Sequence, residues 1–517
     1  MTIDVENFSN RRNDERWNRV SVGDIIERMT WNEPDKVALV ATPDATVDPA
    51  YARVTYSQAN TIINRVANAL LALDLAPSSR IAMLCNNSNE AWLAKVGVAK
   101  AGLVAAPVNV MMAPDVIVEA LDRARELGLD RAEVRRRNLI SPADMPYTSP
   151  LKSRDGANIV LDSGDFIAGQ DKLLDLIDYE GFPSRQKAAL SDGRYLGIGI
   201  GNYTKGTGRG PFESAIVRIK PSGQITVATG ASEQGQGIIH SLAQICAEAL
   251  GVNPEAVSVT GGDTSAVSIG MGTFASRQAV TAGTSVHVAA TELRNKALKI
   301  GAHMLEAAEE DLELVDGMVR VRGVPEMAVP LGKIAHAVAG TPGFALPFGI
   351  EPGMEAEHNF MPEGLAYCSG SQAAEVEVDV ETGGVTILRY IAVQDSGTRI
   401  NPMIVDGQMQ GGIVHGMGNA LFERLHHDEN GQPLTTTLDQ YLLPTATGVP
   451  SIALHYDDTA CTKNPLGIKG VGEGGTVPVP GVIISAVENA LSPFGIFVDR
   501  CPIEPMHLVE LILAAQQ

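Results

Sequence analysis

The sequence predicts a chain of mixed α+β and α/β class, and three observations carry that prediction. A strand, a helix and a second strand succeed one another between Arg80 and Val108, the spacing of a parallel βαβ unit. From Leu196 onward, period-two strand segments alternate with long helical ones. Three glycine-rich loops, at 232–237, 270–278 and 470–475, each lead into a helical segment.

In chain order, Ser57 is a candidate cap for a helix whose apolar positions Ile63, Val66, Ala67, Leu70 and Leu71 keep the 3.6-residue period, and Pro77 marks a stop beyond it. Residues 80–84 read as a short buried strand, a helix carries Trp92, Val96 and Ala99 as far as Gly102, and 104–108 read as the next strand. Residues 116–137 form a charged amphipathic helix pair broken at Gly128 and restarted under Asp130, with Arg135, Arg136 and Arg137 as a helix-end charge cluster. The segments LGIGIGNY, AIVRIK and ITVATG suggest sheet, with a turn at Pro221-Ser222-Gly223. Helices are expected over 239–250, closed by Gly251, and over 279–307. From Ala373 the chain reads as a hairpin turning at Thr382-Gly383-Gly384, then a helix over 407–423, an Asn430-Gly431 turn and a helix over 480–491. No repeat of solenoid length occurs.

Composition narrows the function. The 40 Lys and Arg against 61 Asp and Glu leave a net charge of −21, a field that repels nucleic-acid backbones and anionic lipid. Five cysteines, Cys85, Cys246, Cys368, Cys461 and Cys501, are far apart and read as thiols of a reducing compartment. Their spacing builds neither an iron–sulfur cluster nor a Cys-rich zinc site, so such a centre belongs on another chain. The polar start MTIDVENFSNRRNDERWN has no apolar core, and the sequence predicts a soluble, cytoplasmic protein. His426-His427 has no carboxylate at ligand spacing and reads as a solvated loop; no residue is assigned as a metal ligand. Neither a G-x-S-x-G motif nor a Cys/His pairing supports a hydrolase.

The chemistry-bearing residues lie in the glycine loops. In Gly470-Val471-Gly472-Glu473-Gly474-Gly475, glycines let the backbone approach a bulky group and aim one carboxylate, Glu473, the candidate catalytic base. Partial burial is expected to bring its pKa closer to neutrality than that of a free glutamate. Ser232-Glu233-Gln234-Gly235-Gln236-Gly237 enters a helix, where free N–H groups can hold a phosphate. The carboxamides of Gln234 and Gln236 both donate and accept, which suits the edge of a heterocycle. The loop from Gly270 through Ala275, Ser276 and Gln278 offers small residues for close contact, and Gln408, read as lying at the start of a further helix, repeats the Gln/Gly chemistry. There, tight helix packing through Gly411 and Gly412 is a second reading that can hold at the same time.

These segments carry two resemblances. SVGDIIERMTWNEPDKVALV and the stretch from VTYSQANTIINRVANALLALDLAPSSRIAMLC to VAAPVNVMM resemble the opening of the adenylate-forming acyl-CoA ligases, ending near Pro114. That family's phosphate loop, adenylate motif and C-terminal lysine have no counterpart. The nearest imitation, from Thr204 to Gly210, lacks the P-loop order.

GASEQGQG, GDTSAVSIGMGTFASRQ, NPMIVDGQMQGG and NPLGIKGVGEGG, in that order, resemble the molybdopterin-binding large subunit of the xanthine dehydrogenase, aldehyde oxidase and carbon monoxide dehydrogenase family. The resemblance implies domains over residues 1–115 (ligase-like), 116–370 and 371–517 (molybdopterin-binding). It implies a molybdopterin cofactor, its cytosine dinucleotide form included, with Glu473 as base and Gln234, Gly235, Gln236, Gly237, Ala275, Ser276, Gln278 and Gln408 as cofactor contacts. The implied reaction is hydroxylation of an aldehyde or N-heteroaromatic carbon with water-derived oxygen. Electrons would leave through an iron–sulfur subunit and an FAD subunit on separate chains. The family's front segments, among them a hammerhead-like domain and loops on the other side of the molybdenum, have no counterpart. The resemblance thus implies a fusion joined near Pro114 to Glu119, with a sheet edge left open for docking. An AMP-forming ligase-like protein and a non-catalytic fusion that only binds partner subunits stay open as alternatives.

Overall fold

The computed structural model describes residues 22–41, 46, 48–75, 79–84, 88–108, 130–153, 156–428, 431–498 and 500–516. They belong to two compact units, one of Met1–Arg135, Thr148–Ile159 and Leu425–Gln440, the other of Arg136–Tyr147, Val160–Arg424 and Tyr441–Gln517.

The smaller unit contains α1 (Val22–Asn32), β1 (Val37–Val40), β2 (Arg53–Thr55), α2 (Tyr56–Leu71), β3 (Arg80–Leu84), α3 (Asn89–Lys100) and β4 (Val104–Val108). The expected βαβ unit is present, with β3 and β4 parallel around α3. Helix α2 begins earlier than expected because Thr55, not Ser57, caps it: Thr55 accepts from the Gln58 N–H while the Gln58 side chain accepts from the Thr55 N–H. Ala59, Ile63 and Ala67 of α2 are buried, Ile63 in one cluster with Leu93 and Val96 of α3. Helix α4 (Arg131–Asn138) starts under Asp130, whose Oδ1 accepts the Ala132 and Glu133 N–H groups. Pro77, Cys85, Gly128, Asn430, the expected helix over 116–128 and the junction near Pro114 lie outside the described residues. A short pair, β5 (Tyr147–Lys152) and β6 (Asn158–Leu161), comes next.

The larger unit runs through α5 (Phe166–Ile177), α6 (Phe182–Ser191), β7 (Tyr195–Thr207), β8 (Glu213–Ile219), β9 (Ile225–Thr229), α7 (Ile238–Leu250), β10 (Val257–Gly261) and α8 (Gln278–Leu305). It continues with β11 (Leu312–Val315), β12 (Met318–Val321), β13 (Val324–Pro330), α9 (Leu331–Val338), β14 (Glu355–Phe360), β15 (Ala366–Val378) and β16 (Val385–Asp395). It closes with α10 (Pro402–Leu421), β17 (Ile452–Tyr456), α11 (Val479–Ala490) and α12 (Pro505–Ala515). One sheet has the order β10-β9-β8-β14, a second β17-β16-β15-β7, and β11-β12-β13 form a third.

Two cores result. Around α8, Ala282, Val286, Ala289 and Leu293 pack with Leu242 and Ile245 of α7 and the inner face of β8 and β9. Over the second sheet, Met409, Ile413 and Met417 of α10 and Val482, Ile483 and Ala486 of α11 cover Ala374, Val376 and Tyr390. Strand β15 pairs with β7 from Ala366 to Val378, so it runs through the boundary expected at 370/371 and both segments share this sheet. Helix α10 also starts earlier than expected, at Pro402, because Asn401 caps it through the Ile404 N–H at 3.1 Å with proline in the first turn. Among the described residues, no helix is long and apolar enough to cross a membrane.

The glycines of LGIGIG explain how α11 sits. Gly197, Gly199 and Gly201 share one face of β7; the helix backbone lies directly on the first two, and the side chains of Val482 and Pro478 on the third. A Cβ at Gly199 would fall 1.9 Å from the Val482 carbonyl oxygen and 2.7 Å from the Ala486 nitrogen. Gly199→Ala should therefore destabilise the unit by about 3 kcal/mol, the upper end of ordinary overpacking costs, read as a lowered urea midpoint at unchanged m-value.

Candidate functional site

Four loops or helix starts of the larger unit converge on one cavity of about 350 Å³. Eight of the nine residues singled out from sequence line it: Gln234, Gly235, Gln236, Ala275, Ser276, Gln278, Gln408 and Glu473. Gly237 does not. It caps α7 in the left-handed region at φ 72° and faces Ile404.

The first loop comes directly after β9. The sequence predicts free N–H groups at its helix entrance, but Glu233 occupies it: the carboxylate accepts from the N–H groups of Gly235 (3.1 Å), Gly237 (2.9 Å) and Ile239 (3.1 Å). An acidic side chain ahead of a helix is a capping signal, and the sequence offered it. Gln236 braces the loop, accepting from the Gln234 N–H at 2.5 Å and donating to the Ser232 carbonyl at 3.0 Å.

The second loop is tied to the first by Thr273, whose hydroxyl donates to the Ser232 carbonyl (2.7 Å) and accepts from the Ser232 N–H (2.9 Å). Ala275 and Ser276 both adopt left-handed backbone, φ 50° and 52°. Strain of this kind in non-glycine residues persists only where the surroundings hold it. Here the clamp is Arg277, fully buried and ion-paired with the equally buried Glu213. The guanidinium also donates to the carbonyls of Arg209 (2.5 Å), Gly272 (2.7 Å) and Phe212 (2.6 Å). The 204–210 segment, weighed as an imitation of a phosphate loop, is thus a strand end and a socket for Arg277.

Gln408 lies within α10, not at its start, since the helix begins at Pro402. Gly412 meets the Glu473 loop closely, a Cβ there falling 3.1 Å from the Gly475 Cα, whereas Gly411 faces open space. Tight packing and cavity lining therefore coexist on this helix.

The last loop is held by Gly470, whose N–H donates to the Thr207 hydroxyl at 3.0 Å and whose missing Cβ would lie 1.9 Å from the Ser276 carbonyl oxygen. That contact delivers Glu473 to Ser276. The Ser276 hydroxyl donates to Glu473 Oε2 (3.0 Å) and accepts from the Glu473 N–H (3.0 Å) and from Lys205 Nζ (2.6 Å). Lys205 also pairs with Oε2 directly. Burial is the largest single influence on Glu473 and pushes its pKa up, but Lys205 and Ser276 together outweigh it, and the net displacement is below the ordinary value of 4.5. This reverses the expectation of a pKa nearer neutrality: a half-exposed carboxylate beside an ammonium is held ionised.

Whether a pterin suits this cavity can be judged from its polar atoms. Gln278 and Ser396 line the cavity, and Gln278 Oε1 and the Ser396 hydroxyl are buried without a hydrogen-bond partner. Such atoms are costly unless a ligand or water satisfies them. Four glutamines, Gln234, Gln236, Gln278 and Gln408, line the same space, the Gln236 carboxamide being engaged within its own loop and the Gln278 amide nitrogen with the Gly272 carbonyl, and Arg277, Arg399 and Lys469 are already paired with Glu213, Asp458 and Asp395. The lining fits a neutral heterocycle with mixed donors and acceptors, in a volume typical of ligand sites.

Fold and cavity together define a cofactor-binding α+β protein. The chain belongs to the molybdopterin cofactor-binding domain family, which matches residues 172–450. Residues 27–125 match the AMP-binding enzyme family, running past Pro114 where the ligase resemblance was expected to end. The nicotine 6-hydroxylase large subunit of Paenarthrobacter nicotinovorans is 35% identical over 400 residues, 75% of this chain and 48% of that protein. The carbon monoxide dehydrogenase large chain of Hydrogenophaga pseudoflava is 35% identical over 387 residues, 72% of this chain and 47% of that protein. Among solved structures, quinoline 2-oxidoreductase from Pseudomonas putida 86 superposes with a TM-score of 0.71 at 34% identity, covering 80% of this chain and 54% of that one. The chain spans about half the length of the curated relatives it matches.

Proposed function

We propose that this chain holds molybdopterin in the 350 Å³ cavity and is the cofactor-bearing part of a molybdenum hydroxylase, with Glu473 as its base. The observation that carries this reading is the convergence of the four loops on one cavity, two of whose lining residues, Gln278 and Ser396, each carry a buried polar atom without a partner. When bound, the cofactor would supply the two-electron chemistry and the activation of water-derived oxygen. The chain would do the rest. Gln234, Gln236, Gln278 and Gln408 present donors and acceptors to the pterin, and the Ser396 hydroxyl offers one more. Glu473 takes a proton at Oε1, the oxygen outside the contacts with Lys205 and Ser276. A second cavity, of about 640 Å³, shares Arg399 and Ile400 with the first and presents His287, Thr291 and Arg294. It is the proposed place for a cytosine dinucleotide extension.

The substrate is proposed to be an aldehyde or an N-heteroaromatic carbon, and the relatives named for nicotine and quinoline support the second. Iron–sulfur and FAD subunits on separate chains complete the proposal, as does a cytoplasmic location. The AMP-binding match is confined to 27–125 and brings no phosphate loop, so a ligase function is not proposed.

The test is the molybdenum and pterin content of the folded chain purified from a host that makes the cofactor, by elemental mass spectrometry and fluorescence after oxidation. Near-stoichiometric molybdenum is expected. A folded sample without molybdenum or pterin would overturn the reading in favour of a non-catalytic fusion.

A further inference from the structure

We propose that Lys205 is a positioning residue for Glu473, clamping its Oε2 through a direct ion pair and the shared Ser276 hydroxyl so that Oε1 alone is presented to the cavity. The inference rests on the proposed role of Glu473 as a base, and its geometry is that of this chain's own residues.

Lys205 is near the end of β7, opposite Cys368 of β15, with its side chain 18% exposed. An ammonium this far out of water needs acceptors, and Nζ finds two: Ser276 Oγ at 2.6 Å and Glu473 Oε2. The Ser276 hydroxyl is saturated by this arrangement. Its single proton goes to Oε2, and its two lone pairs take the Lys205 ammonium and the Glu473 N–H. Ser276 reaches this point only through its left-handed backbone, so the strain in the second loop has a use: it closes the clamp.

Other charges near Glu473 are engaged elsewhere. Arg277 of the second loop pairs with Glu213, Lys469 of the same loop as Glu473 with Asp395, and Asp406 of α10 accepts from Tyr456 at 2.5 Å. Gln408 is the neutral neighbour from α10, its Oε1 3.8 Å from where a Cβ on Gly472 would lie. Among the described residues, Lys205 is therefore the cation that favours the ionised form of this carboxylate, and a carboxylate fixed through one oxygen keeps the other aimed at the cavity.

The experiment is a pH titration of the Glu473 carboxyl carbon by NMR in protein labelled at glutamate, the signal assigned by its loss in Glu473→Gln. In Lys205→Met the midpoint should move to higher pH, and Lys205→Arg should return it toward the wild-type position. Ser276→Ala, which removes one bond and no charge, should give a smaller shift in the same direction and keeps the test available if Lys205→Met does not fold. Unchanged midpoints in Lys205→Met, or in Ser276→Ala where the first variant is unfolded, would overturn the proposal. This readout needs no bound cofactor, so it stands apart from the molybdenum assay. In protein that does carry molybdenum, the acid limb of the kcat/KM profile should show the same shift.

Discussion

Replacing Arg277 by methionine should cost the larger unit about 3–5 kcal/mol, the penalty for leaving one member of a fully buried ion pair without its partner. Both side chains are inaccessible to solvent, so Glu213 would keep a charge with no water to receive it. The loss would not be electrostatic alone. The guanidinium holds the carbonyls of Arg209, Phe212 and Gly272, and a methionine satisfies none of them. Arg277→Lys should fare little better, because an ammonium cannot reproduce the planar fork that meets acceptors on three sides. The double variant Arg277→Met/Glu213→Leu separates the two effects. It removes the orphaned charge and should recover part of the stability, while the second loop still lacks its anchor. Urea unfolding of the three variants measures the first quantity. Cofactor content measures the second, and on the proposed function it should stay low in the double variant even where the fold is recovered. A double variant that regains full cofactor content would show that the left-handed geometry of Ala275 and Ser276 does not depend on Arg277.

The same residues show why some of this was legible in the sequence and some was not. Glycine loops ahead of helices are local signals, and each of the four motifs placed at least one residue in the cavity. Strands β3, β4, β7, β8 and β9 were legible for a similar reason, since alternation and flanking turns are short-range properties. Boundaries failed where a local signal was passed over: Thr55-x-x-Gln58 is a capping box, and Asn401-Pro402 is a cap with a first-turn proline behind it. Glu233 is a signal of the same kind, an acidic residue ahead of a helix that closes the helix entrance. Lys205 is a different case. It meets Glu473 across 268 residues of sequence, and Arg277 meets Glu213 across 64. No local pattern announces either contact, because each exists only once β7, β8 and the second loop have been brought together. The error about the Glu473 pKa has the same origin: its burial could be inferred from a glycine loop against a cofactor, its cation could not.

On the proposed function, Glu473→Gln is expected to lower turnover by about 10²–10⁴-fold while cofactor content stays unchanged, the span associated with losing a positioned general base. Glutamine keeps the shape of the side chain and can still accept from Lys205 and Ser276, so the loop should hold its place against Gly412 and Thr207. It cannot, however, take a proton at the position of Oε1. Glutamine is for that reason a sharper probe than alanine, which would also release Lys205 from its acceptor and confuse chemistry with packing. One cost should be visible. The half-exposed carboxylate no longer neutralises Lys205, and a modest fall in stability, within about 1 kcal/mol, is expected from losing an ion pair that solvent partly screens. Stopped turnover with intact molybdenum would assign the proton transfer to Glu473. Turnover within a few-fold of the parent would mean that the base is elsewhere and that the clamp around Oε2 serves only to fasten the loop.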